Sequence, residues 1–153
     1  MANAKIGSQT SWSSNYVETI TADKQLVPGD SGKIFMCEQN STADVLVNLP
    51  QVGADIAGWH ATFILSVNSS NDFILMGYGL PAAGGTTSDN DLINHREYIT
   101  DGNASSNTAN SDGIQFANAG SEVGIKIDII TNGTVWFAYS FSTADANITA
   151  IDS

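Results

Sequence analysis

Residues 28–33, PGDSGK, contain the Gly-Asp-Ser-Gly run that surrounds the nucleophilic serine in one class of proteases. Such a serine needs a histidine to accept its proton and a carboxylate to orient that histidine. In the chain order that belongs to this motif both partners precede the serine, whereas the two histidines, His60 and His95, follow Ser31. A reordered triad stays formally open, because unrelated folds place the same groups in any order. The motif alone therefore does not predict a hydrolase.

The same stretch ends in a glycine and a lysine, as a phosphate-binding loop does. That loop requires a glycine at position 27 and a hydroxyl residue at position 34, where this chain has Val27 and Ile34. What is left is a turn. Its proline fixes one φ angle, Gly29 and Gly32 permit positive φ, and the Asp and Ser between them can bond their own backbone. We expect this turn to join two strands.

The other residues that could do chemistry are few and scattered. Zinc would need several Cys and His ligands, whereas this chain has one cysteine, Cys37, in an apolar run that predicts a buried thiol. Calcium prefers hard oxygen ligands, and the polar loop region offers four: Asp89, Asp91, Asp101 and Asp112. The sequence around them lacks the EF-hand glycine and glutamate, so we interpret them as solvated acids. The chain is therefore predicted to have no catalytic residues, no cofactor and no metal.

Composition limits the partners. The chain has 153 residues, which suits one well-packed domain. Its 16 acidic residues outnumber 5 basic ones, for a net charge of -11. Nucleic acids and anionic membranes bind through clusters of Lys and Arg, so neither is an expected partner.

The elements that would position any site are short strands. Seven runs rich in β-branched and aromatic residues are bounded by Gly, Pro, Asn, Asp or Ser, which predicts an all-β fold. Residues 122–141 are predicted to form a hairpin around Asn132-Gly133. In its first strand Val123, Ile125, Ile127 and Ile129 share one face. Residues 49–59 are expected to form a loop or one short helical turn.

We predict a single antiparallel β-sandwich of jelly-roll type with extended polar arms at both ends. Residues 1–15 form the N-terminal arm, residues 16–141 the sandwich with a polar insertion at 79–113, and residues 142–153 the C-terminal arm. One strand is expected inside the insertion, at residues 96–100, and loops as long as this insertion are uncommon unless they serve contacts. The apolar residues spaced along the arms are candidate docking contacts: Ile6, Trp12, Ile148 and Ile151.

A series of turn residues and aromatics resembles a recurrent β-module of tailed-phage virion proteins. It consists of the Asp-Ser-Gly-Lys turn at 30–33, Leu49-Pro50, Gly58-Trp59, Asn132-Gly133 and Trp136. The likeness covers residues 19–80 and 120–140, and the insertion and both arms have no counterpart. Such modules occur in capsid decoration (cement) proteins and in tail fibre or tailspike domains. Some tailspikes hydrolyse glycans, but on long repeated β-coils, and this sequence has no internal repeat.

The resemblance implies a non-enzymatic decoration protein that binds the outer surface of an assembled phage capsid as a homotrimer and stabilises the shell. Its partners would be the major capsid protein and further copies of itself. Because residues 1–15 lack the apolar segment of a signal peptide, we expect synthesis in the host cytoplasm before incorporation into the virion.

The alternative is a trimeric tail fibre or receptor-binding tip that recognises a host surface glycan through residues 79–113. Aromatic rings stack on sugars, and amide and carboxylate groups bond to their hydroxyls. The candidate glycan contacts are Tyr78, Tyr98, Asn94 and Asp101.

Overall fold

The structure, a computed structural model, describes residues 16–40, 42–77, 92–99, 107–118, 122–143 and 147–151. These residues form two β-sheets, and the all-β fold predicted from the sequence is confirmed. In chain order the strands are β1 (Val17–Ile20), β2 (Lys24–Gln25), β3 (Ile34–Glu38), β4 (Val45–Asn48), β5 (His60–Val67), β6 (Phe73–Met76), β7 (Ile93–Ile99), β8 (Asn107–Ser111), β9 (Gly113–Phe116), β10 (Lys126–Thr131), β11 (Trp136–Ser142) and β12 (Ile148–Ile151). Two short 3-10 turns span Pro28–Asp30 and Ala54–Ile56, the second inside the segment predicted as a loop or helical turn.

The sheets are mixed, which corrects the predicted antiparallel arrangement. The seven-stranded sheet has the order β1-β3-β5-β10-β11-β7-β8, and the five-stranded sheet has the order β12-β9-β6-β4-β2. From β1 to β6 successive strands alternate between the sheets, and the neighbours within each sheet run parallel. The chain therefore winds between the layers before β9, β10 and β11 add antiparallel pairs. The segments that cross between the sheets from β1 to β6 differ in length, so the crossings produce no sequence repeat of fixed period.

Apolar side chains from both sheets meet in one core. Alternation along each strand sends every second residue inward, where Phe35, Phe63 and Phe73 are fully buried. Trp59 and Trp136 pack edge to face with their ring centroids 5.2 Å apart. This inner packing fixes the direction of the remaining side chains, which point outward on each sheet.

The ends and the insertion differ from the prediction. Ile148–Ile151, assigned to a C-terminal arm, forms β12 and pairs with β9 in the five-stranded sheet. The insertion 79–113 contains β7, β8 and the start of β9. The strand expected at residues 96–100 corresponds to the second half of β7, whereas β8 and the start of β9 were missed because few of their residues are apolar. The N-terminal arm, residues 1–15, lies outside the described residues.

The two predicted turns are present. Residues 28–33 connect β2 to β3, with Gly32 at φ +83 and Gly29 without the positive φ expected for it. The hairpin joins β10 to β11 at Asn132 and Gly133, and Gly133 has φ +91. Val123 is the exception on its predicted face, because it lies in the turn before β10 and is exposed.

Candidate functional site

The serine of the protease-like motif is not part of a triad. Ser31 Oγ accepts a hydrogen bond from the backbone N–H of His60 at 3.3 Å, so the two residues are close but the imidazole is not the partner. His60 Nδ1 lies 3.0 Å from the Gly58 carbonyl oxygen. A backbone carbonyl thus takes the position that a carboxylate would hold in a catalytic triad. The arrangement fastens a turn to the start of β5.

The acid and lysine of the same motif belong to an ion-pair network at the β1 edge. Lys33 Nζ donates to Asp30 Oδ1 at 2.6 Å and to Glu18 Oε2 at 2.9 Å, and Lys24 Nζ also donates to Glu18. Burial opposes ionisation of Asp30, but Lys33 and the Val27 N–H together hold the pKa of this carboxyl below its usual value. Hydrogen bonds from Lys24 and Lys33 likewise lower the pKa of Glu18.

This network covers the core rather than an open site. Both lysine ammonium groups lie 5.9 Å from the ring centroid of Phe35, which is fully buried. A shallow cleft of about 450 Å³ borders the network, lined by residues of β1 and of the turn, among them Tyr16 and Gly32. The contacts of the Asp-Ser-Gly-Lys turn therefore stabilise the fold: Asp30 and Lys33 belong to the ion-pair network, and Ser31 bonds to the start of β5.

His95 is buried on the opposite side of the seven-stranded sheet from His60. Its Nε2 lies 2.7 Å from Ser140 Oγ, and both residues are buried between the layers. Next to this pair Ser142 Oγ donates to Glu97 Oε1 at 2.7 Å. Burial lowers the pKa of His95 to about 4, so the imidazole is neutral at physiological pH. Since the Ser140 hydroxyl is enclosed, we assign these pairs to the packing of β7 against β11.

The outward side of the seven-stranded sheet, here called the outer face, carries several of the exposed large apolar side chains of the described residues. The antiparallel and parallel registers align its side chains in three rows. One row contains Val17, Ile34, Thr62, Asp128, Tyr139 and Arg96, the next contains Thr19, Met36, Ile64, Lys126, Phe141 and Tyr98, and the third contains His60, Ile130, Phe137 and Asn94.

Four large apolar side chains of the outer face are exposed to solvent. Ile130 is 42% exposed, Tyr139 and Phe141 are 40% exposed, and Tyr98 is 38% exposed. Scattered single apolar residues are ordinary on protein surfaces, whereas contiguous apolar patches mark interaction sites. Because these four residues lie on three adjacent strands in register, they form one such patch.

Lys126, Phe141 and Tyr98 of one row and Arg96 of the adjacent row form a stack in which two aromatic rings lie between two cations. Tyr98 and Phe141 stack with centroids 5.3 Å apart at 15°. Lys126 Nζ lies 4.6 Å from the Phe141 centroid, and the Arg96 guanidinium carbon lies 5.5 Å from the Tyr98 centroid. Lys126 also donates to Asp128 Oδ2 at 2.7 Å. These mutual contacts hold the long side chains of the patch in place before any partner arrives.

A depression of about 260 Å³ indents the same face, lined mainly by apolar atoms of Ile130, Ala61 and Tyr139, with His60 and Asp128 among its walls. Asp128 Oδ1 accepts a hydrogen bond from Thr62 Oγ1 at 2.7 Å. An aromatic or aliphatic side chain from a partner would fit such a recess, as anchor residues do at protein interfaces.

Some of the predicted contact residues lie on the outer face, others lie in β12, and the rest are outside the described residues. Tyr98 and Asn94 both lie on the outer face through β7, two positions from Arg96 on either side. Ile148 is buried in the protein's own core, so it is not available as an arm contact, and Ile151 is half-buried in β12. The other predicted contacts, Ile6, Trp12, Tyr78 and Asp101, lie outside the described residues.

The four aspartates interpreted as solvated acids rather than calcium ligands are only partly described. Asp112 is buried, which corrects its interpretation as a solvated acid, and its backbone N–H donates to the Ile151 carbonyl oxygen at 2.9 Å. Asp89, Asp91 and Asp101 lie outside the described residues. Within the described part of the chain, no three His, Cys, Asp or Glu side chains are grouped as metal ligands.

Sequence reasoning missed most of the outer face. In β11 the small residues Ala138, Ser140 and Ser142 point inward, and the aromatic Tyr139 and Phe141 point outward. The available signal was the hairpin: it pairs Phe141 with Lys126, which alternation had already placed on the solvent side.

Comparison with known proteins finds no matching family model, no matching curated protein and no matching solved structure. Among the described residues there is no helix long and apolar enough to cross a membrane.

Proposed function

We propose that this protein is a non-enzymatic virion protein, a decoration protein that binds the outer surface of an assembled phage capsid as a homotrimer. The observation that supports this most is the outer face, a contiguous, preorganised patch of aliphatic and aromatic side chains. Interfaces are enriched in Tyr, Phe and Arg at their centres, and all three occur here. The enclosed His95 and Ser140 offer no competing reaction centre.

The mechanism of such a protein is thermodynamic. A protein that binds only the assembled lattice stabilises that lattice by mass action, and a trimer multiplies the effect because its copies bind together. The outer face suits assembly, since its residues lie on strands rather than on loops that must be ordered on binding.

The test is the copy number of this chain in purified virions, measured by mass spectrometry against the major capsid protein. A decoration protein should be present in numbers comparable with the capsid protein and should sediment with assembled heads but not with unassembled capsid subunits. A few copies per particle would instead place it on the tail and contradict the proposal.

Glycan recognition by a fibre tip remains the second candidate, since Tyr98 and Asn94 share the outer face. A sugar stacks on the open face of a ring, whereas one face of Tyr98 is covered by Phe141. Tyr139 lacks a stacking partner among the described aromatic pairs, so it is the better platform. Titration with purified host surface polysaccharide tests this candidate: binding lost in Tyr139→Ala but kept in Val27→Ser would support it, and no binding by the wild type would exclude it.

A further inference from the structure

We infer that the outer face is the surface through which copies of this chain contact one another, and that it docks on an acidic end of the neighbouring copy. The acidic end consists of Asp23, Asp44 and Asp72, which precede β2, β4 and β6. Because these three strands are parallel neighbours, their first residues lie at the same end of the five-stranded sheet. The inference rests on the proposed function only in taking the working protein to be an oligomer.

The outer face carries as many described carboxylates as cations, and one of its cations is unpaired. It carries Arg96 and Lys126 together with Asp128 and Glu38, and Lys126 is paired with Asp128 at 2.7 Å. Within the described residues no carboxylate lies within 4.0 Å of the Arg96 guanidinium, which contacts the Tyr98 ring instead. In a chain of net charge -11, this patch therefore has an unmatched cation among apolar groups.

The other described cations are already matched. Lys24 and Lys33 pair with Glu18, and Lys33 also pairs with Asp30, at the β1 edge. Both lysines are therefore already paired with carboxylates of the same chain. A negatively charged partner is consequently attracted to Arg96 rather than to the β1 edge.

The acidic end supplies fixed negative charge. Asp23 Oδ1 accepts the Leu46 N–H at 2.8 Å, Asp44 Oδ1 accepts the Asp72 N–H at 2.9 Å, and Asp72 Oδ1 accepts the Asn118 N–H at 2.6 Å. Asp23 and Asp44 are exposed, and Asp72 is half-exposed. The described ion pairs include none of the three. Carboxylates held by backbone bonds lose little conformational freedom when a cation approaches.

The two surfaces lie on different sheets, so a contact between them joins different patches of two copies. Such a heterologous contact closes into a ring when the rotation between neighbours allows it, and a cyclic trimer is the smallest ring of this kind above a dimer. Burial of Ile130, Tyr139 and Phe141 would supply most of the affinity, while the Arg96 charge would fix the orientation.

The experiment compares oligomeric state by size-exclusion chromatography with light scattering across a range of concentrations. Two variants alter the outer face, Arg96→Glu and Phe141→Ser, and one alters the acidic end, the triple Asp→Asn variant of Asp23, Asp44 and Asp72. Asparagine keeps the side-chain oxygen that accepts each backbone N–H and removes the charge. The control is Val27→Ser, which removes an exposed apolar side chain away from both surfaces.

We expect the wild type and Val27→Ser to be oligomers, and the face and acidic-end variants to raise the dissociation constant at least tenfold. Arg96→Glu mixed with the triple Asn variant should form a dimer that neither forms alone, because the mixture restores one intact junction. Circular dichroism and the urea midpoint of each variant establish that it is folded.

A wild type that stays monomeric, or face variants that associate as the wild type does, would overturn the inference. Capsid sedimentation separates this failure from that of the proposed function. Face variants that stay oligomeric but no longer bind heads would assign the outer face to the capsid, overturning the inference and supporting the function. Variants that dissociate as expected, in a protein whose wild type never binds heads, would support the inference and contradict the function.

Discussion

Acid should destabilise this fold through a single buried imidazole, His95. Burial holds its pKa at about 4, against an ordinary value of 6.5. At pH 5 the folded protein therefore keeps the imidazole neutral while the unfolded chain binds a proton, so stability falls as the pH drops below the unfolded pKa. These two pKa values predict a loss of about 2 kcal/mol in unfolding free energy between pH 7.5 and pH 5, and about 3 kcal/mol once both states are protonated.

The window between pH 7.5 and pH 5 isolates this effect. Glu18 and Asp30 have pKa values lowered from 4.5 and 3.8, so the stability that they contribute is present above those unfolded values and is lost only at lower pH. Urea unfolding, followed by the fluorescence of the buried Trp59 and Trp136, measures the free energy at each pH.

The matched pair of variants is His95→Gln and His60→Gln. Removing His95 should abolish the pH dependence in this window, even though the variant is less stable overall, because Ser140 loses its partner. Removing the exposed His60 should leave the wild-type dependence intact. A His95→Gln protein that lost as much stability as the wild type between the two pH values would refute the reasoning.

Three further outcomes follow from the packing. Burial raises the pKa of the Cys37 thiol, so it should stay unreactive to a thiol reagent at pH 8 in the folded protein and react at once in urea. Phe63→Ala should cost about 3–5 kcal/mol in urea unfolding because the ring is fully buried, whereas Phe141→Ala on the outer face should cost about 1 kcal/mol or less; equal losses would contradict the assignment of the two faces. Gly133→Ala should lower the thermal midpoint, since φ is +91 and a Cβ would lie 2.8 Å from the Gly53 carbonyl oxygen, while Gly29→Ala, which meets nothing within 4 Å, should leave it nearly unchanged.

Local patterns were sufficient for the apolar strands and for the hairpin. Ile125, Ile127 and Ile129 are buried as their alternation predicted, and Asn132 with Gly133 makes the connection between β10 and β11. Both features depend on residues near one another in the chain, where side-chain period and turn chemistry act directly. The same holds for the turn at 28–33, whose aspartate bonds to the nearby Val27 N–H.

Local sequence patterns did not predict which distant strands pair with each other. Parallel neighbours such as β3 and β5 meet because the chain crosses to the other sheet between them, and nothing in either strand specifies that detour. The burial of polar residues in β7 was missed for a related reason: Glu97 and His95 lie inside because Ser142 and Ser140 bond to them across 45 residues of sequence.

The sequence by itself determined an acidic, all-β chain whose obvious chemical motif is a turn, because charge, alternation and turn residues act over a few positions. Only the tertiary structure decided that β7, β10 and β11 are neighbours and that Tyr98, Phe141 and Lys126 therefore form one stack. A surface patch is made by register across strands, and register is fixed by the burial of the opposite face. The candidate binding surface is consequently a product of the core that lies beneath it.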